Sequence, residues 1–169
     1  MKALTHSLLI TILAACQTTA RPEPVPSSAA SAPALAAPVA ELDRLDARTP
    51  VPLLPMMANH QKQNMRDHLA VVQEVVSATA ERDFGKVARA AERIGYSEAM
   101  GQMCQHMGAG APGFTEQALA FHHTADRIVV AAKSQDAQAV LQALGETLTK
   151  CTTCHATYKQ QIVEKLDAH

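Results

Sequence analysis

The chain has 169 residues, a net charge of −1 at neutral pH, no tryptophan and 3% aromatic residues. Near-zero charge with no basic cluster interleaved with aromatics argues against nucleic-acid binding. No nucleophile, base and orienting group can be read together, which removes ordinary hydrolytic chemistry.

Met1-Lys2 is a thin basic start, and Leu8-Leu9-Ile10-Thr11-Ile12-Leu13 is an apolar run too short to span a membrane. Leu13-Ala14-Ala15-Cys16 follows it. A basic start, an apolar run and small residues before a cleavage point describe an export signal over 1–15. Cysteine after Leu-Ala-Ala resembles a bacterial lipobox, which implies lipidation of Cys16 as the mature N-terminus. The competing reading is an ordinary cleaved signal with Cys16 incidental. Gln17 is not the aspartate associated with inner-membrane retention, which points to the outer membrane.

From Thr18 to Pro55 the chain holds eight prolines among alanine and serine. That composition builds no core and favours extended chain. Residues 16–55 therefore read as a lipidated cysteine and a tether, with a brief helix around Glu41 to Arg48. Residues 56–169 are the size of one domain.

Four helical segments fill that domain. The first runs from about Met56 to Ala80, with Met65, Leu69, Val72 and Val76 as an apolar stripe. Asp83 caps a second, interrupted at Gly95 and resumed over Met100 to Met107. Gly108 to Gly113 is a loop. The third carries Phe121, Ala125, Ile128 and Ala132 on one face. Asp136 caps the fourth, whose stripe is Val140, Leu144, Leu148, Cys151, His155, Tyr158 and Ile162. No strand is expected. Short connections make neighbours antiparallel, so the fold class is all-α, an up-down-up-down four-helix bundle.

Cys151-Thr152-Thr153-Cys154-His155 is the attachment signature of c-type haem. Two thiols form thioethers to the haem vinyl groups, and the following histidine can bind the iron. Spacings of three and four place all three on one helical face. A thioredoxin-like pair would sit beside a strand, and zinc would need a second ligand pair. The expected cofactor is one covalent haem c, held by Cys151, Cys154 and His155.

The stretch from Phe121 to Gln160 resembles the C-terminal half of the soluble four-helix b-type cytochrome and of cytochrome c-prime. The residues that carry this are Phe121, Ala125-Asp126, Ala131 to Ala137, and Thr147 to Gln160 with its C-terminal C-x-x-C-H. The resemblance implies an antiparallel bundle with haem between the helices and His155 as proximal ligand. It also implies a choice of function. The b-type member uses a methionine of its first helix as the other ligand and transfers electrons. Cytochrome c-prime closes that side with an apolar residue and binds nitric oxide or carbon monoxide. The arginine four residues before the distal position in cytochrome c-prime has no match here, because Gln61 stands there.

A helix ending near Lys165 puts His155 about 15 Å from its end at 1.5 Å per residue. The same height on the first helix falls near Met65, the expected distal ligand, with His68 and His60 as alternatives. Lys62 or Arg66 could pair a haem propionate. Met100, Met103, Cys104, His106 and Met107 are read as packing at helix spacing rather than a soft-metal cluster. His122 and His123 are read as surface or haem-edge residues. Cys104, a leftover thiol in an exported protein, needs burial or reactivity to explain it.

The expectation is thus a periplasmic, lipid-anchored cytochrome passing single electrons to redox partners of a respiratory chain, with homodimerisation open. It is not expected to be an enzyme. The alternatives are gas binding at a five-coordinate haem, and a structural or metal-storage lipoprotein.

Overall fold

The computed structural model describes residues 41–166. The expected signal over 1–15, Cys16, and the tether as far as residue 40 lie outside them. Residues 41–45 are helical. Then come β1 (Thr49–Leu53), α1 (Pro55–Ala80), α2 (Phe84–Glu92), α3 (Glu98–Gly108), α4 (Phe114–Lys133), α5 (Ala137–Thr157) and β2 (Tyr158–Ile162). The protein is mostly helical, with one small parallel sheet of β1 and β2.

Local chemistry sets the helix ends. Pro55 begins α1, where its missing N–H costs nothing. Asp83 accepts from the Lys86 N–H at 2.8 Å, Ser97 from Met100 at 3.2 Å, and Asp136 from Gln138 at 2.8 Å and Ala139 at 3.3 Å. Each fills a donor the first helical turn leaves free. Gly113, before α4, has φ +76°, and a Cβ there would meet the Tyr158 hydroxyl at 2.9 Å. Glycine is required on both counts.

α1 packs on α2, α2 on α4, and α4 on α5, while the α1–α5 contact is slighter. The main core takes Val71, Val75 and Ala78 from α1, Val87 and Ala91 from α2, Phe121, Ala125 and Ile128 from α4, and Val140 and Leu144 from α5. A smaller second core joins Val51 and Leu53 of β1 to Ala58, Met107, Phe114 and Tyr158.

Three expectations change. The last helix stops at Thr157, and Tyr158–Ile162 is a strand. Tyr158 leaves the helix because its ring packs against Phe114 and its hydroxyl donates to the Pro112 carbonyl at 2.8 Å. The tether ends sooner than Pro55, since Val51 and Leu53 are fully buried. Prolines 50 and 52 alternate with those two residues, so the positions without an N–H fall between the ones that pair. Finally, the buried face of α1 is Ala58, Gln61, Val71, Val75 and Ala78. Met65, Leu69 and Val76 of the expected stripe are exposed.

Candidate cofactor site

Cys151 and Cys154 sit in the last turns of α5. Both are free thiols and half-buried. Cys151 packs against the main core and Cys154 against the second, so the motif lies where the two cores meet. Burial pushes both thiols above the usual cysteine range, and the neighbouring Cys151 adds to this at Cys154. His155 follows on an exposed position.

Ion pairs mark which side of each helix faces which neighbour. Glu74 of α1 pairs with Arg93 at the end of α2, at 2.7 Å. Glu146 of α5 pairs with Arg127 of α4. At about 100° per residue, Met65, nine residues before Glu74, lies on the opposite side of α1. His155, nine residues after Glu146, likewise lies on the side of α5 opposite its pair with α4. Leu69 and Val76 fall within about 40° of Met65, and Leu141 and Leu148 within about 40° of His155. Met65, Leu69 and Val76 thus share one exposed stripe of α1, and Leu141, Leu148 and His155 share one of α5. Among these residues, Met65 is 39% exposed, Leu69 68%, Leu141 51% and Leu148 39%.

Tyr96, three residues after Arg93, donates its N–H to Asp126 of α4 at 3.1 Å, and Asp126 adjoins Arg127.

The other expected residues are scattered. His60 is exposed and shares a 3.3 Å hydrogen bond with Asn64. His68 points inward, stacked on Phe121 at 4.7 Å and edge-on to His122 at 5.6 Å. Burial, with His122 beside it, pulls His68 down to about 4, so its ring is neutral at physiological pH. A cleft of about 330 Å³ opens beside it, lined by Asn64, Asp67, Ile94 and Met100 among others. Lys62 and Arg66 are exposed.

His122 corrects the sequence reading. It is 4% exposed and so not a surface residue, and its Nδ1–H donates to the Ile94 carbonyl at 2.8 Å. The break between α2 and α3 frees that carbonyl from helical bonding. Cys104 is buried, and burial raises its thiol above the usual range, so it is protected rather than reactive. Met103 and His106 are exposed while Met107 belongs to the second core, so this group does not converge. Among the described residues, no three His, Cys, Asp or Glu side chains gather as a metal site.

Sequence reasoning missed the clasp at the end of α5. Arg48 donates to the His155 carbonyl at 3.1 Å and to the Tyr158 carbonyl at 3.4 Å. Asp46 grips the same guanidinium at 2.6 and 2.9 Å, and this holds its carboxyl well below the usual range. Lys159 donates to the Asp46 carbonyl at 3.0 Å, and Gln160 bonds to Ala58 and Gln61 of α1. Among the described residues, no helix is long and apolar enough to cross a membrane. No family model, curated protein or solved structure matches the chain.

Proposed function

We propose that the protein is a c-type cytochrome for one-electron transfer. Its helices form an antiparallel four-helix bundle in which α2 and α3 share one position. One haem c is bound through Cys151 and Cys154 between α1 and α5. The observation that carries this reading is the pair of free, half-buried thiols of Cys151 and Cys154, followed by His155, at the meeting of the two cores.

The residues fit such a group. The thiols are free and half-buried beside apolar side chains, which leaves them available for thioether bonds to an apolar macrocycle. Small neighbours, Thr152, Thr153 and Ala156, leave its surroundings unobstructed. When bound, haem c supplies a reversible one-electron couple. His155 would hold the iron from α5 and Met65 from α1, where a thioether raises the potential. Leu69 and Leu148 would shield it from water. Covalent haem attachment agrees with an exported chain anchored through Cys16 at the periplasmic face of the outer membrane, exchanging electrons with respiratory partners.

The absorption spectrum of the exported, haem-loaded protein tests the proposal. The ferric form is expected to be low-spin with a near-infrared thioether–iron band, and Met65→Ala to become high-spin. A low-spin Met65→Ala protein moves the second ligand to His68, whose neutral ring is competent to ligate, or to His60. A high-spin wild type overturns electron transfer through a His/Met pair and favours the alternative, gas binding at a five-coordinate haem. Export from a haem-competent host without covalent haem overturns the proposal.

A further inference from the structure

The segment from Asp46 to Leu53 lies against the end of α5, and its purpose is not explained by packing alone. A β1 strand of five residues could bury Val51 and Leu53 without any charged contact. Instead Arg48 reaches the last carbonyls of the helix that carries Cys151, Cys154 and His155. One of the two is the carbonyl of His155 itself. Asp46 fixes the guanidinium from its far side through both carboxylate oxygens, and its own backbone carbonyl takes the Lys159 ammonium. The strand ladder then continues from Thr49 against Tyr158 to Leu53 against Ile162, and the Val163 N–H donates to Leu53 at 2.9 Å.

His155 stands two residues from the end of α5, where helices fray because the final carbonyls lack partners. A guanidinium at that end both satisfies carbonyls and complements the negative end of the helix dipole. We propose that Arg48, seated by Asp46, is a positioning residue for the iron ligand His155: it holds the end of α5 and sets the charge beside the proximal side of the cofactor. This rests on the cytochrome reading above.

The charge argument has a definite sign. The oxidised iron carries one more positive charge than the reduced iron, so a nearby cation disfavours oxidation. Arg48→Gln leaves the Asp46 carboxylate uncompensated, a net change of one negative charge that favours the oxidised form and lowers the reduction potential.

The test uses the full-length, haem-loaded protein. Arg48→Gln is expected to lower the potential relative to wild type. It should also speed amide exchange at residues 155–158 by about tenfold or more, since hydrogen bonds to a charged group are lost. Asp46→Asn combined with Arg48→Gln restores the charge balance but not the clasp, so the potential returns toward wild type while exchange stays fast. Arg48→Lys, a milder change, keeps the potential and loosens the helix end, and serves if Arg48→Gln fails to accumulate. A haem-loaded Arg48→Gln protein with unchanged potential overturns the inference and leaves the cytochrome reading intact. A wild-type chain without covalent haem overturns both.

Discussion

α5 has two sides, and they are built differently. Towards α4 it is closed: Val140 and Leu144 are buried against Ala125 and Ile128, and the Arg127–Glu146 pair seals the edge. On its other side Leu141 and Leu148 are left partly in water, as is Met65 of α1. Both sides are apolar, so hydrophobicity does not separate them. What separates them is whether protein packs against them.

Three changes probe that contrast. The largest is Ile128→Ala in the closed side, expected to cost about 2–5 kcal/mol in thermal or denaturant unfolding. Leu141→Ala on the open side should cost about 0.5 kcal/mol or less. An equal cost at both positions would mean the open side is as well packed as the closed one.

Acid should come next. The unfolded chain protonates His68 near 6.5, whereas burial holds the folded value near 4. The unfolded state thus binds more protons between those values. The stability this contributes is complete above pH 6.5 and is lost as pH falls toward 4, by up to about 3 kcal/mol. His122 is shifted in the same direction, chiefly by burial. Melting curves from pH 7 to 4 should show the loss, and His68→Gln should flatten it. A slope unaltered by that change assigns the acid sensitivity elsewhere.

A smaller effect than the acid loss is expected of Asp136→Ala, at about 1 kcal/mol. It frees two N–H groups at the start of α5 without touching either side. Unfolding should shift by that amount while the haem spectrum stays fixed. A changed spectrum would show that the two ends of α5 are coupled.

Much of the scaffold is written locally. Asp83 and Asp136 cap the helices they were expected to cap, Gly95 marks the break before α3, and the third-helix stripe from Phe121 to Ala132 is buried throughout. The C-x-x-C-H spacing likewise needs no tertiary information. Non-local features were not legible. β1 hides in a proline-rich stretch, and nothing near it in sequence reveals that Tyr158–Ile162 supplies its partner. Counting the height of Met65 from a helix end near Lys165 fails, because α5 stops at Thr157. α1 holds two apolar stripes a fraction of a turn apart, and periodicity alone could not say which one is buried.

The pairing of Thr49 with Tyr158 has a kinetic meaning. It joins chain segments on either side of all five long helices. Closing a flexible loop of that length costs about 4 kcal/mol in chain entropy, more than a five-residue ladder can offset alone. Once the helices have packed, the two ends are already near each other and the cost has vanished. The ladder is therefore a late event in folding and an early one in unfolding. The amides of Val51 and Leu53 become reporters, protected from exchange only while the helices behind them stay assembled.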